Sequence, residues 1–163
     1  MKIWETIKRF KLKQLFVLSK TLLKNPFYIL PTYKATKETL KICDEKFGKS
    51  HHKNNKANAF RHALWNFLIA EKCFGRNNSV EKSINWTIKI TDLHEKLSPN
   101  QTLAKTMDLH NNKIGRKLFQ QKISKEKIIP ALEKYMKNSL KISTEKEAQV
   151  NPSNLIYIEN DER

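Results

Sequence analysis

Polar side chains recur at helical spacing in the apolar segment of residues 57–74. Asn58, His62 and Asn66 are each four residues apart, so a helix would place them in one column. The residues between them are mostly apolar, which predicts that this helix is buried on most sides. A buried polar group without a partner costs about 1–3 kcal/mol. The column therefore predicts polar partners on other helices.

A second polar face lies in the segment of residues 98–120. Asp108, Asn111, Asn112 and Gly115 share one helix face, at spacings of three, four and seven residues from the first. Asparagine is a poor helix former, and glycine costs roughly 1 kcal/mol against alanine inside a helix. Their presence in this helix predicts a structural or functional role that outweighs the cost in helix stability. Gly115 would let another backbone or a ligand approach closely.

Between these two faces the chain contains an adjacent pair, His94-Glu95. Histidine and carboxylate side chains are common ligands of divalent metal ions in hydrolytic sites. We therefore expect His62, His94 and Asp108 to bind a divalent metal ion, with Glu95 as general base. The expected catalytic set is Glu95, His62 and Arg61. The residues expected to hold an anionic substrate are Asn58, Trp65, Asn111, Asn112 and Arg116.

The same residues are also compatible with a structural polar core, and the sequence leaves both interpretations open. In the structural interpretation Arg61 and Asp108 form a buried ion pair and His62 donates to a backbone carbonyl. The asparagine side chains then bridge the ends of helices. Three other histidines are expected to be incidental to the site: His51, His52 and His110.

Three segments resemble the motifs of a bacterial family described as a domain of unknown function (DUF6973). They are Asn58-Ala-Phe-Arg-His-Ala-Leu-Trp65, the His94-Glu95 pair and Met107-Asp-Leu-His-Asn-Asn-Lys-Ile-Gly-Arg116. Short stand-alone members from Flavobacterium-like bacteria resemble the whole chain, including its lysine-rich N-terminal part. The resemblance implies a shared helical site and no established activity. Many members carry aspartate where this chain has Asn58, so a metal-ligand role is not implied for that position.

The few glycines and prolines predict an all-α fold. The 163 residues include 3 Gly and 5 Pro, which favours long helices over many short strands. We expect a single-domain bundle of about five to six helices, divided into basic N-terminal helices (1–48), a motif-bearing core (57–120) and a short irregular tail (142–163). The apolar run 155–158 in the tail is expected to dock in extended form. Helices are predicted over residues 2–24, 32–47, 57–74, 79–97, 98–120 and 124–140.

Individual residues predict where these helices begin and end. Pro26 and Pro31 are expected to separate the first two helices, because proline disrupts a helix interior. Ser98 is expected to cap the fifth helix, with Gln101 at the third position of a capping box. Pro130 is expected to kink the last helix or to delay its start.

The net charge of +16 is concentrated near the N-terminus, where residues 1–56 hold 14 Lys and Arg against 4 Asp and Glu. Such a field attracts polyanions, so the expected partners are an anionic lipid surface or a phosphate-containing substrate. A merely solvated lysine-rich surface is the other interpretation. Sequence-specific nucleic-acid binding is not expected, because no helix-turn-helix, zinc-finger or aromatic RNA-binding motif is present.

These features leave three classes of function open. The first is a metal-dependent hydrolase acting on a phosphate-bearing or otherwise anionic substrate. The second is a non-catalytic basic module that binds anionic lipid or nucleic acid and uses its polar helices as structural core. The third is a small interaction protein with an exposed apolar patch on its first helix. The amphipathic segment 2–24 is typical both of interfacial membrane helices and of helices packed on a core.

Cysteine usage and hydropathy predict a cytoplasmic protein. Cys43 and Cys73 lie in apolar stretches, and no CxxC or zinc-ribbon spacing is present. No apolar run reaches the roughly 18 residues that span a bilayer, and the N-terminal segment lacks the pattern of a signal peptide. We expect a cytoplasmic location, either free in the cytoplasm or peripheral at the inner face of the membrane.

Overall fold

A computed structural model describes residues 12–97 and 101–159. The expected all-α class is confirmed: these ranges contain seven α-helices and one pair of two-residue strands. Two three-residue 3-10 turns, Pro26–Tyr28 and Ser50–His52, lie on either side of the second helix. The elements are α1 (Leu12–Leu23), α2 (Ile29–Phe47), α3 (Lys56–Asn77), α4 (Val80–Leu97), α5 (Thr102–Gln120), α6 (Lys125–Lys137), β1 (Leu140–Lys141), α7 (Glu145–Val150) and β2 (Ile156–Tyr157).

Helix α3 is the centre of the fold and packs against α2, α4, α5 and α6. Most of its apolar side chains, among them Phe60, Leu64 and Phe67, are fully buried, as its sequence predicts. The Asn55 side chain caps its first turn by accepting from the backbone N–H of Asn58 at 3.1 Å. The helix continues past residue 74, where it was expected to stop. It ends at Asn77 instead, because Asn78 provides the left-handed C-cap (φ 51°).

Helices α3 and α5 approach each other closely at Gly115. A Cβ atom on this residue would overlap the carbonyl oxygen of Ala63 and lie only 2.8 Å from its carbonyl carbon and 2.9 Å from its Cα. The close approach expected at Gly115 is therefore made by another backbone. Since Ala63 follows His62 directly, this contact brings the polar column of α3 against the polar face of α5.

The start of α5 differs from the expected capping box. The helix begins at Thr102, and Gln101 is its N-cap, without a side-chain cap hydrogen bond. Gln101 thus precedes the helix, and its expected position inside the first turn is wrong. Ser98 and Pro99, the other residues of that prediction, lie outside the described residues.

The N-terminal helices also begin and end at other residues than expected. Of the predicted helix 2–24, residues 2–11 lie outside the described residues, and the described part ends at Leu23. Pro31 does not separate two helices, because α2 starts at Ile29 and Pro31 is buried in its first turn. Proline is tolerated there, since first-turn N–H groups have no partner within the helix. Across the described ranges, no helix is long and apolar enough to cross a membrane.

The C-terminal part is more ordered than the predicted tail. Helix α6 begins before Pro130, at Lys125, so the proline does not delay its start. The polar stretch after residue 142 contains the short helix α7, which was not predicted. The run 155–158 docks in extended form as expected, and its strand β2 pairs in parallel with β1. Leu155 and Ile156 are fully buried.

Candidate functional site

Three helices bring one histidine and two carboxylates together in the interior. His62 comes from α3, Glu95 from α4 and Asp108 from α5, and each offers a ligand atom within 4.8 Å of the other two. Nδ1 of His62 lies 3.4 Å from Oε1 of Glu95, and Nε2 lies 3.3 Å from Oδ1 of Asp108. All three side chains are at least 96% buried. We call these residues the acidic-histidine cluster.

Two asparagine amides connect the cluster to the helices around it. Oδ1 of Asn112 lies 3.1 Å from Nδ1 of His62 and accepts from Nδ2 of Asn66 at 2.6 Å. Nδ2 of Asn112 donates to Oε1 of Glu95 at 3.2 Å. Oδ1 of Asn66 accepts from the hydroxyl of Thr91 at 3.2 Å. His62 and Asn66 of the polar column predicted on α3 therefore find partners on α4 and α5, whereas Oδ1 of Asn58 has no hydrogen-bond partner among the described residues.

Two half-buried arginines flank this network. Arg116 donates to Oδ1 of Asn66 at 2.8 Å. Arg61 donates to the backbone carbonyl of His51 at 2.7 Å and, with its other terminal nitrogen, lies 2.8 Å from Nε2 of His62. A guanidinium can only donate, so Nε2 is the acceptor and the proton of the neutral imidazole is on Nδ1. Nδ1 then donates to Oδ1 of Asn112.

Burial sets the protonation of the cluster. It lowers the pKa of His62 well below its usual range, and the nearby charges of Arg61 and His94 lower it further. Burial and the neighbouring charge of Asp108 raise the pKa of Glu95 to about 8. At neutral pH, His62 is therefore neutral and Glu95 carries a proton. No hydrogen-bond partner for Oε2 of Glu95 is found among the described residues.

His94, which was expected to be a metal ligand, is not part of the cluster. Its half-buried ring packs edge-on against Trp65 with the ring centroids 5.2 Å apart. Adjacent helix residues point about 100° apart, so His94 and Glu95 cannot both face His62, and the structure places Glu95 there. Burial and the charge of Arg61 lower the pKa of His94 to about 4. Trp65 in turn donates from its indole N–H to the Thr36 hydroxyl at 2.9 Å.

The remaining predicted residues lie around the cluster or on the C-terminal segment. Asn58 is buried in the first turn of α3. Asn111, expected to hold substrate, instead donates to the carbonyl of Ile156 at 2.9 Å and accepts from its N–H at 3.0 Å. It thereby holds β2 against α5. His110 lies 2.8 Å from the carbonyl of Asn154 and holds the same segment.

A second group of possible ligand atoms, formed by Asp44, His51 and His52, was not predicted as a site. His51 is fully buried, although it lies in a polar segment, and its Nε2 is 2.8 Å from Oδ1 of Asp44. Nδ1 of His52 lies 3.3 Å from a terminal nitrogen of Arg61. The only sequence signal was the adjacent histidine pair, seven residues after Asp44.

Comparison with known proteins identifies the family but no activity. The family model described as "Domain of unknown function (DUF6973)" matches residues 19–144. The match covers well over half of the chain and contains all three motif segments, so the chain belongs to this family, and the resemblance found in the sequence is confirmed. No curated protein and no solved structure matches the chain.

Proposed function

We propose that this protein is a metal-dependent hydrolase of a phosphate-bearing or otherwise anionic substrate. The observation that carries the proposal is the acidic-histidine cluster, in which His62, Glu95 and Asp108 offer three ligand atoms from three helices within 4.8 Å. Donors placed on rigid helices are held more precisely than donors on loops. One histidine and two carboxylates suit a divalent ion such as Zn²⁺ or Mn²⁺.

The electrostatic cost of burying two carboxylates together supports a bound cation in the cluster. Two carboxylates that share a buried space repel each other, and their charge is expensive to bury. The raised pKa of Glu95 expresses this cost. A divalent ion would replace the proton of Glu95 and compensate both carboxylates. The neutral His62 has one ring lone pair, on Nε2, which accepts from Arg61 in this structure, so a metal ion bound at Nε2 would take the place of that hydrogen bond.

This proposal revises the roles that the sequence suggested. Glu95 takes the ligand position that was expected for His94, and as a ligand it no longer serves as a free general base. When bound, a divalent ion would lower the pKa of a coordinated water and so supply a nucleophile. The Arg61 guanidinium, 2.8 Å from Nε2 of His62, is placed to bind an anion beside the cluster. The half-buried Trp65 ring packs edge-on against both His62 and His94, with ring centroids 6.5 Å and 5.2 Å apart.

A non-catalytic basic module is the second candidate, and one observation favours it. The amides of Asn66 and Asn112 connect His62, Glu95, Thr91 and Arg116 in one buried network, which by itself fixes how three helices pack. Buried polar networks of this kind can serve structural specificity alone. The two candidates differ in whether the cluster binds metal.

The proposal is tested with chelator-treated protein reloaded with Zn²⁺, Mn²⁺ or Mg²⁺. Hydrolysis of p-nitrophenyl phosphate and bis-(p-nitrophenyl) phosphate is measured for the wild type, Asp108→Asn and the control His110→Ala, together with the melting temperature of each. We expect metal-dependent hydrolysis and a metal-induced rise in melting temperature in the wild type and the control, and neither in Asp108→Asn. A folded wild type that shows neither effect with any of these ions would contradict the proposal.

A further inference from the structure

We propose that α1 and the turn after it bind the surface of a bilayer that contains anionic lipids. The docking face consists of the exposed apolar side chains Phe16, Leu23 and Phe27 together with the exposed lysines Lys20 and Lys24. This inference uses none of the residues of the acidic-histidine cluster. The two proposals are therefore independent, and failure of the hydrolase function would leave this one unaffected.

Packing on the core accounts for only one side of α1. Leu18 and Leu22 pack against the buried core. On the same side of the molecule, the Gln14 amide donates to the carbonyl of Leu97 at 2.9 Å, which fastens α1 to the end of α4. The amphipathic pattern of the segment is thus satisfied by these residues, and core packing does not require further apolar side chains on the helix.

Large apolar side chains nevertheless project from the other side. Phe16 is 69% exposed and Leu23 is 75% exposed, and both line a shallow groove with Ser19, Lys20 and Lys24. Phe27, in the turn that follows, is 85% exposed. Scattered single apolar residues are normal on a surface, but a cluster of this kind marks a binding surface.

The charge around these side chains identifies the partner. Residues 12–37 contain five lysines and no aspartate or glutamate. Lys34 and Lys37, in the first half of α2, are also exposed. Phenylalanine and leucine beside lysine is the composition of interfacial helices, whose apolar side chains enter the acyl boundary while the lysines contact anionic headgroups.

Nucleic acid would satisfy the lysines but would leave the apolar side chains unexplained. A bound single strand stacks its bases on aromatic rings, whereas Leu23 offers no ring. The docking face has apolar and basic groups in one place, and an anionic bilayer is a partner that uses both.

The test is cosedimentation of the full chain with vesicles of phosphatidylcholine, with and without phosphatidylglycerol. We expect binding at least about tenfold tighter to the anionic vesicles. Two variants remove the two halves of the docking face: Phe27→Ser and the pair Lys20→Glu/Lys24→Glu. Their matched controls are Val150→Ser, a side chain 74% exposed on α7, and Lys113→Glu/Lys117→Glu, which has the same spacing and charge change on α5.

We expect each docking-face variant to lose at least about tenfold in vesicle affinity, while each control stays within about twofold of the wild type. All the substituted side chains, on the docking face and in the controls, are exposed. Folding measured by circular dichroism should therefore be unchanged in every variant. Equal losses in the two lysine variants with no effect of Phe27→Ser would overturn the proposal, because binding would then depend on net charge alone. Binding to duplex DNA without binding to vesicles would also overturn it.

Discussion

Gly115 and Ala63 are in backbone contact, with the Cα of Ala63 only 2.9 Å from where a Cβ on Gly115 would lie. This contact sets the distance between α3 and α5, and with it the distance between His62 and Asp108. The two side chains meet at 3.3 Å because neither helix has a side chain between the backbones at this point. The glycine in the motif is therefore explained by the geometry of the cluster.

Gly115→Ala should push α3 and α5 apart and lower the free energy of unfolding by at least about 2 kcal/mol, since overpacking a core typically costs 1–3 kcal/mol. The control is Gly75→Ala, where a Cβ would meet no atom within 4 Å. That change should be neutral or stabilise the protein by up to about 1 kcal/mol. Urea unfolding of the two variants measures both effects, and equal stabilities would refute the close contact.

Asn66→Ala should destabilise the protein by about 2–3 kcal/mol, because Arg116 and Asn112 each lose a buried partner. Asn85→Ala on the exposed side of α4 is the matched control and should change stability by less than about 0.5 kcal/mol. Thermal and urea unfolding provide the measurement. A loss no larger than that of the control would mean that the network does not hold these helices together.

Glu95→Gln should remove a pH dependence of stability. The folded-state pKa of Glu95 is raised to about 8, so its contribution is present at low pH and is lost as the pH rises from its unfolded value through 8. Histidines whose pKa is lowered in the folded state have the opposite effect, because they make the protein more stable as the pH rises. Their effect is confined to values below about pH 6.5, where histidine titrates in the unfolded chain.

Between about pH 6.5 and 8, chelator-treated wild type should therefore lose stability by at most about 2 kcal/mol, the linkage limit for one proton over this window. The free energy of unfolding of Glu95→Gln should change less with pH over the same window. The measurement is urea unfolding at several pH values in this window. The same slope in both proteins would show that Glu95 is not protonated in the folded state.

Asn111→Ala should release the C-terminal segment, because the Asn111 amide makes both hydrogen bonds to the backbone of Ile156. Hydrogen exchange of the peptide covering residues 151–159 should then be at least about tenfold faster, while exchange in α3 is unchanged. His110→Ala removes one contact to the same segment and should have a smaller effect. Unchanged protection of the segment in Asn111→Ala would contradict this role.

The polar column of α3 could be predicted because Asn58, His62 and Asn66 repeat at helical spacing among apolar residues. The sequence could not predict whether His94 or Glu95 faces His62, because both side chains suit a metal ion and they are adjacent in the chain. The rotation of α4 about its axis decides which of them does. The contacts of Asn111 could not be predicted from the sequence for a similar reason. Its partner is the backbone of a strand 45 residues away, and such a contact leaves no periodic signal in the sequence.

The burial of His51 escaped prediction as well. The segment around it is polar, which indicates a loop, but Asp44 and the Arg61 guanidinium bind the ring and its carbonyl from two neighbouring helices. The position of Pro31 could not be predicted either, because a proline in the sequence is compatible with a break between two helices and with the first turn of one helix. Tertiary packing decides between these two.

Binding of a divalent ion by His62, Glu95 and Asp108 can be measured as the metal content of the protein. Elemental mass spectrometry is applied to the purified and metal-reloaded wild type, to Asp108→Asn and Glu95→Gln, and to His110→Ala as control, with circular dichroism to verify folding. We expect close to one equivalent of metal in the wild type and the control, and at least about tenfold less bound metal in both cluster variants. A folded wild type that retains no metal after reloading, or cluster variants that retain it fully, would show that these three residues do not form a metal site.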